Sequence, residues 1–428
     1  MIGSRRSRSE IELLHLKAAE SPIKTSMSDP SRTQSVSRTT KNVAVLGATG
    51  SIGTATIDVL DNLDRNDPLH RWRLWAASGH QNLKVLSEIT EKMAAAPERL
   101  ILSDPDSASE FQPSSQLAGC EIKVGPDELV RAAQADCVDI VVAAIVGRAG
   151  LESSLAAIDA GKRVALANKE TMVVAGPLVR QKLDQSGAEL LPVDSEHSAI
   201  FQCLGSSVSP PKRLILTASG GPFREWTREQ MEAATPKSAL AHPTWEMGRK
   251  ISIDSATMMN KSLEVIEARW LFGLPAEAIE VVVHPQSIIH SMVEFQDGSV
   301  IAQLSPPDMR LPIQYALTYP RRLPCDAPPL SREQSWDLTL QPADRERFPA
   351  LDLGFEVARV GGTAGAVVNA ANEAAVGLFL AGQIRFTDIV RGCRQVLQNH
   401  TYESDPTLER LLQLDRWARD ELKRAVFA

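Results

Sequence analysis

Three acids carry the first chemical hint. Asp194-Ser195-Glu196 closes an extended run at Glu189–Val193. In an extended backbone, residues two apart point to one face, which aims Asp194 and Glu196 together. Paired carboxylates repel unless a cation stands between them, and hard divalent ions such as Mg2+ or Mn2+ take oxygen ligands of this kind. The missing partner lies in Lys250–Trp270, KISIDSATMMNKSLEVIEARW. There Ser255 or Asp254 can cap the start of a helix whose apolar stripe is Met259, Leu263, Ile266 and Trp270. At roughly 100° per residue, Asn260, Glu264 and Glu267 share a neighbouring face, with Lys261 at its edge. A polar face of this sort is ordinarily just solvated, and an Asp-Ser-Glu turn by itself sits in water. Taken together they make a divalent-metal site with Glu264 as third ligand, although spacing alone does not separate Glu264 from Glu267.

Groups suited to phosphate surround these acids. A strand at Leu214–Thr217 runs into Ala218-Ser219-Gly220-Gly221, which offers a hydroxyl and exposed amides. Ser219, Ser255, Asn260 and Lys261 make a phosphate nest around His242. The segment His242-Pro243-Thr244-Trp245-Glu246-Met247-Gly248 suits a loop that closes over a ligand and excludes water. Lys169, in Asn168-Lys169-Glu170 at a strand end, reads as an anion contact.

A nucleotide site is written nearer the start. The apolar run Asn42–Leu46 leads into GATGSIG, Gly47 to Gly53, and then a helical pattern. Glycines let a backbone approach a pyrophosphate, and a helix amino terminus supplies amides and positive dipole. The next strand, Trp72–Ala77, ends in Ser78-Gly79-His80-Gln81-Asn82 with no acid to take a ribose 2′-hydroxyl. His80, with Arg71 or Arg73, can instead face a 2′-phosphate, which favours NADP.

The elements that must position these groups follow a βα rhythm. Val138–Ala144 and Val164–Ala167 read as strands around a helix at Leu151–Ala160, predicting a doubly wound parallel sheet. Ligands of such sheets sit outside the carboxyl ends of strands. Val281–Val283, Ile288–Phe295 and Val300–Leu304 predict a second sheet with an antiparallel part, turning at Asp297-Gly298. The fold class is therefore α/β: a Rossmann-like doubly wound parallel sheet over 42–193, a central α+β catalytic domain over 194–318, a Pro-rich linker over 319–344 and a helical domain over 345–428. The last contains Asn369-Ala370-Ala371-Asn372-Glu373 but no metal or nucleophile constellation, so it is expected to prop the site and pack the linker. Residues 1–41, rich in Ser, Thr and Arg, read as a disordered tail, with Met27 as an alternative start.

Composition narrows the classes. The 428 residues are 43% hydrophobic and 23% charged, as in ordinary soluble proteins. A net charge of −7 argues against broad nucleic-acid binding. No apolar run approaches the ~18 residues that span a bilayer. Five scattered cysteines without CxxC spacing suit a reducing compartment, and the expected location is cytoplasmic.

The motifs GATGSIG, ALANKE, LPVDSEHSAIFQ, TASGGPF, HPTWEMGRKISIDSATMMNKSLEVIEA and HPQSIIHSMVEFQDGS, in this order, resemble the 1-deoxy-D-xylulose 5-phosphate reductoisomerase family. The resemblance runs from about Asn42 to the C-terminus. It implies an NADPH- and Mg2+- or Mn2+-dependent enzyme of isoprenoid precursor biosynthesis, usually a homodimer. Such an enzyme rearranges its substrate by retro-aldol cleavage and re-addition, then reduces it to 2-C-methyl-D-erythritol 4-phosphate. By this resemblance Asp194, Glu196 and Glu264 bind the metal, while Glu267 only supports them. Ser195 and Lys169 contact substrate oxygens, Glu196 stands near the proton transfers, and His242 lies beside the substrate. Ser219, Ser255, Asn260 and Lys261 hold its phosphate, and Trp245 and Met247 close over it. Thr49, Gly50, Ser51 and Ile52 line the cofactor pyrophosphate; Gly79, His80, Gln81, Asn82, Asn168, Lys169, Glu170 and Gly248 complete the cofactor surface. One departure is Gly79-His80-Gln81-Asn82, where some relatives carry a Lys-Asn pair. Another NADP-dependent oxidoreductase, of the semialdehyde or homoserine dehydrogenase sort, would share only the first domain and need none of the three acids. A nucleotide-sensing module would bind NADPH without consuming it.

Overall fold

Short Val-, Leu- and Ala-rich runs dominate the first half of the chain, and a fully parallel sheet is the structure that buries both faces of such strands. The computed structural model describes residues 38–427 except Val208 and Glu246. Seven strands form the first sheet: β1 Thr39–Leu46, β2 His70–Gly79, β3 Arg99–Leu102, β4 Glu121–Val124, β5 Ile140–Ala143, β6 Arg163–Leu166 and β7 Glu189–Pro192. All neighbours are parallel, in the order β4-β3-β2-β1-β5-β6-β7. The chain first builds outward from β1 and then returns to its other side at β5. That reversal opens a crevice between the ends of β1 and β5, where doubly wound sheets bind ligands. The first strand takes in Thr39–Lys41, so these three residues belong to the sheet and not to a tail; the rest of the expected tail, up to residue 37, lies outside the described residues.

The second sheet is mixed. It contains β8 Pro211–Ala218, β9 Ile279–Val283, β10 Ile289–Phe295, β11 Val300–Leu304 and β12 Gln341–Pro342, in the order β11-β10-β8-β9-β12. β10 runs antiparallel to both β8 and β11, while β9 is parallel to β8.

The stretch Lys250–Trp270 is two helices rather than one. Arg249–Ala256 ends at Thr257, and Met259–Phe272 begins after Met258, whose backbone is left-handed at φ 61°. Ser255 therefore lies in the last turn of the first helix and does not cap the second. In an unbroken helix Ser255 and Asn260, five residues apart, would diverge by roughly 140°. The break at Met258 lets both face one cavity. The second helix is buried on nearly all sides, including Lys261, Glu264 and Glu267. Its polar residues are thus not a solvated face, and buried charges of this kind must find partners.

Behind it lie the helices Ala350–Val360, Ala364–Leu380, Phe386–Asn399 and Leu408–Phe427. Val367, Val368, Ala371 and Phe379 join Leu263 and Ile266 in one core. The helix Arg310–Thr318, placed by sequence with the central domain, instead sends Ile313, Ala316 and Leu317 into the core of the first sheet. The Pro-rich stretch after it packs on the helix Ser51–Asn66, through Asn62 Nδ2 to Pro324 O at 2.9 Å and the Arg321–Asp67 pair at 2.7 and 2.8 Å.

Candidate active site

Asp194 and Glu196 are brought together by a helix start, not by an extended strand. Asp194 caps the helix Ser195–Leu204, accepting from the Glu196 amide at 3.3 Å, and Glu196 sits in the first turn. Glu264 reaches them from the Met259–Phe272 helix. One oxygen from each of the three carboxylates lies within 4.8 Å of the others. An all-oxygen donor set of this size fits a hard divalent cation.

Two ammonium groups balance these acids among the described residues. Lys169 Nζ stands 2.6 Å from Asp194 Oδ2, 3.1 Å from Glu264 Oε1 and 2.9 Å from Asn260 Oδ1. Lys261 Nζ donates to Glu196 Oε1 at 2.7 Å and to Glu264 Oε2. Burial opposes the charge on Lys169, yet Asp194 and Glu264 outweigh it and hold its pKa well above the ordinary value. Burial likewise pushes the Asp194 carboxyl up, but the Lys169 charge and the His197 contact keep it well below the usual range. Glu264 goes the other way: burial and the neighbouring Glu196 raise it against both lysines. Asp194 and Glu264 are thus shifted in opposite directions, and a divalent ion between them would favour the carboxylate form of each.

Glu267, expected only to support the metal acids, and His197, which was not read as a site residue, both lie directly behind this cluster. His197 Nδ1 is 3.3 Å from Asp194 Oδ1 and 3.3 Å from Glu267 Oε2, while its Nε2 donates to the Glu264 carbonyl at 3.0 Å. The DSEH motif contained His197, but nothing in its spacing tied it to Glu267 seventy residues on.

The neighbouring wall is built by a glycine turn. Gly221 has φ 68°, and a Cβ there would fall 2.5 Å from Ser255 O. Only glycine lets the Ser219 loop approach Ser255 this closely. His242 ties that loop to the flap: its Nδ1 accepts from the Thr244 and Trp245 amides at 3.2 and 2.9 Å. With Nδ1 an acceptor, the proton sits on Nε2, 3.0 Å from Ser219 Oγ, to which it donates. Burial lowers the His242 pKa, which keeps this neutral tautomer. Met247 and Trp245 both line the cavity, and the Trp245 ring lies 6.4 Å from that of His290. His290, Ser287 and Met309 also line it and were missed: Ser287 and His290 stand inside HPQSIIHSMVEFQDGS, to which no site role was given, and Met309 gave no spacing signal.

One cavity of about 490 Å³ joins these walls to the crevice of the first sheet. Asp194, Ser195, Glu196, Ser219, His242, Ser255, Asn260, Lys261 and Glu264 border it on one side. Gly50, Ser51, Ile52, Asn168, Lys169, Glu170 and Gly248 border it on the other. Gly50 begins the Ser51–Asn66 helix with no side-chain cap and no acid in the first turn, leaving its amides for an anion. The turn is tight: Gly47 has φ 89°, and a Cβ there would lie 2.6 Å from Ala144 O. This cradle fits a dinucleotide pyrophosphate. Asn260 and Lys261, expected to hold the phosphate, point at the carboxylates here.

Thr49, Gly79, His80, Gln81 and Asn82 do not line that cavity; Thr49 follows β1, Gly79 ends β2 and the other three follow it. His80 Nδ1 contacts Ser103 Oγ at 3.1 Å. Arg71 and Arg73 cannot join His80 at a 2′-phosphate. They sit at the opening end of β2, paired to Asp64 at 3.9 Å and Glu98 at 3.3 Å. Seven residues of strand put Arg73 roughly 23 Å from His80.

A family model described as 1-deoxy-D-xylulose 5-phosphate reductoisomerase matches residues 43–176. Models of that family's C-terminal domains match residues 190–272 and 304–421. The chain is similar to the 1-deoxy-D-xylulose 5-phosphate reductoisomerase of Rhodopirellula baltica, at 60% identity over 432 aligned residues, covering 90% of this chain and 95% of that one. Its counterpart from Pelotomaculum thermopropionicum is 49% identical, covering 89% and 97%. Among solved structures, the Zymomonas mobilis enzyme in complex with NADPH superposes with TM-score 0.81 at 43% identity, covering 90% and 98%. A reductoisomerase in complex with NADPH, fosmidomycin and magnesium gives TM-score 0.83 at 40% identity, with the same coverage.

Proposed function

The chain belongs to the 1-deoxy-D-xylulose 5-phosphate reductoisomerase family, and from that premise we propose how its own residues carry the reaction. It is an NADPH- and divalent-metal-dependent oxidoreductase and isomerase that converts 1-deoxy-D-xylulose 5-phosphate to 2-C-methyl-D-erythritol 4-phosphate in isoprenoid precursor biosynthesis. The observation that carries the residue assignment is the meeting of three carboxylates, within 4.8 Å of one another, in a cavity that also opens on the uncapped helix start at Gly50.

In this reading Asp194, Glu196 and Glu264 hold the ion. When bound, the ion supplies Lewis acidity at the substrate's carbonyl and hydroxyl oxygens, and NADPH supplies the hydride. Lys169 orients those oxygens from the Asp194 side and offsets the excess negative charge. Ser195, whose hydroxyl donates to Glu196 Oε2, fixes that carboxylate for proton transfer to and from the substrate. Ser219, Ser255, Asn260 and Lys261 bind the phosphate, Lys261 giving up its contacts with Glu196 and Glu264 to do so. His242 couples phosphate binding to the flap, because Ser219 touches its Nε2 and the flap amides touch its Nδ1. Phosphate binding energy is thereby available to draw Trp245 and Met247 over the reacting carbons and exclude water. Thr49, Gly50, Ser51, Ile52, Asn168, Glu170 and Gly248 hold NADPH, with Gly79, His80, Gln81 and Asn82 along its 2′-phosphate.

The coarser organisation belongs to the same proposal: a nucleotide domain to residue 193, a catalytic domain at 194–318 apart from the Arg310–Thr318 helix that packs on the first sheet, a linker at 319–344 and helices from 345. So do Mn2+ as an alternative to Mg2+, a homodimer, a cytoplasmic location, and no nucleic-acid or membrane partner. Among the described residues no helix is long and apolar enough to cross a membrane, and the net charge is −7.

The test is NADPH oxidation by purified protein given the pentulose phosphate, with Mg2+ and with a chelator. Turnover that persists in chelator would overturn the metal-site assignment.

A further inference from the structure

The motif Asn369–Glu373 has no place in the chemistry above, yet two of its consecutive residues reach opposite walls of the cleft. Asn372, fully buried, donates to Asp254 Oδ1 at 2.7 Å. The other oxygen of Asp254 takes Lys250 at 2.9 Å, and Lys250 also donates to Glu170 Oε1 at 2.9 Å. Glu170 Oε2 accepts from Asn168 Nδ2 at 3.1 Å. Asn168 Nδ2 in turn reaches the carbonyls of Ile145 and Gly147 at 2.6 and 2.8 Å. The amide of Arg148, next in the chain, donates to Glu373 Oε1 at 3.3 Å. Glu373 follows Asn372, so the circuit closes.

This ring passes through the helix at the base of the flap, the start of the Lys169–Ser186 helix, the loop after β5 and the Ala364–Leu380 helix. Its members are largely buried, where an opened hydrogen bond leaves a charged or polar group without compensation. Glu373 fits the loop closely: a Cβ on Gly147 would lie 2.8 Å from its Oε1. Outside the ring, Arg419 holds the other oxygen of Glu373 at 2.6 Å. Lys250 has Asp254, Glu170 and Glu373 about it and is kept firmly protonated, burial notwithstanding.

We propose that Asn372 and Glu373 are positioning residues that hold the flap base against the cofactor wall, so that the NADPH surface exists in its binding shape only while the ring is closed. The inference rests on the functional reading above for the identity of that wall. Neither residue touches the cavity; both act through Asp254, Lys250, Glu170 and the loop at 147–148.

A closed ring has a distinctive signature, since opening it once is enough. Asn372→Leu and Glu373→Leu are each expected to weaken NADPH binding, read by fluorescence titration without substrate, by about tenfold. The double variant should stay within about twofold of the singles instead of falling about a hundredfold. Arg419→Leu, which leaves the ring intact, should bind NADPH within about twofold of the parent. Two folded single variants that bind NADPH like the parent, or a double variant whose losses multiply, would overturn the proposal. If the leucine variants do not fold, Asn372→Asp and Glu373→Gln decide. The former sets a like charge against Asp254 and should weaken NADPH by at least about fivefold, while the latter keeps the Oε1 acceptor and should stay within about twofold; equal behaviour of the two would refute the ring. Because the titration needs no turnover, protein that binds NADPH but ignores the pentulose phosphate would sink the functional reading and leave the brace standing.

Discussion

His197 and Glu267 face each other across 3.3 Å, both without solvent exposure and both behind Asp194. No oxygen of Glu267 finds a hydrogen-bond donor among the described residues, so its charge depends on the imidazole beside it. Burial pushes the Glu267 carboxyl up to about 8, a rise that His197 only partly offsets. Burial would lower His197, but Glu267 and Asp194 outweigh it and raise the ring to about 9. The pair therefore works as a proton-rich backing that fixes the orientation of Asp194, the metal ligand of our proposal.

Both groups bind protons more tightly folded than unfolded. Their contribution to stability is complete below the ordinary values of 4.5 and 6.5 and is lost as pH rises through about 8 and 9. The metal-free protein should consequently melt at lower temperature as pH goes from about 7 to 9.5. Glu267→Gln, which cannot titrate, should flatten that slope. Thermal melts in chelator across this range check it; a parent curve that is flat or rises would contradict the assignment.

Glu264 is the residue on which the two half-sites depend, since it meets Lys169, Lys261 and Asn260 at once. Glu264→Gln removes one ligand charge and leaves two ammonium groups short of a partner. We expect Mg2+ half-saturation to rise by at least about tenfold and kcat to fall by at least about a hundredfold. Metal-dependence curves of the two proteins give the answer, and parent-like activity would point to an oxidoreductase that does not use these acids.

His242 supports the flap through Nδ1 and Ser219 through Nε2. Asparagine can still accept from the flap amides but does not reach Ser219 in the same way; alanine does neither. His242→Asn should therefore retain kcat/KM about tenfold above His242→Ala, a difference of about 1.4 kcal/mol. Steady-state kinetics of both variants decide it. Equal losses would mean that the amide contacts at Nδ1 carry no weight.

Much of this site could be read before the fold was known, and the failures share a cause. GATGSIG and the apolar runs around it specify a strand, a turn and a helix locally, and β1 with its uncapped helix start follows from them. The three acids were legible because their chemistry is unusual wherever the backbone puts them. The backbone itself was misjudged twice. Asp194 was read in a strand but caps a helix, and one helix at Lys250–Trp270 proved to be two. Met258 adopts a left-handed conformation that its side chain disfavours, and only packing can impose that. Arg71 and Arg73 failed because strand length was not weighed: they lie at the wrong end of β2. His197–Glu267 and the ring through Asn372 and Glu373 join residues far apart in sequence, where local pattern has no purchase.

The cofactor's 2′-phosphate offers the last test. No acid stands at Gly79–Asn82, and His80 is exposed at the end of β2, 3.1 Å from Ser103 Oγ. The nearby Asp104 is occupied, since Ser107 Oγ donates to it at 2.7 Å and it caps the short helix at Pro105. An acid introduced at residue 80 would repel a 2′-phosphate and welcome a ribose 2′-hydroxyl. His80→Asp is therefore expected to lower kcat/KM for NADPH by at least about tenfold while that for NADH holds or improves. The kcat ratio at saturating substrate and metal should change little, because the substitution lies away from the reacting carbons. Parallel kinetics with both nucleotides check this. An unchanged NADPH-to-NADH preference would place the 2′-phosphate somewhere other than the end of β2.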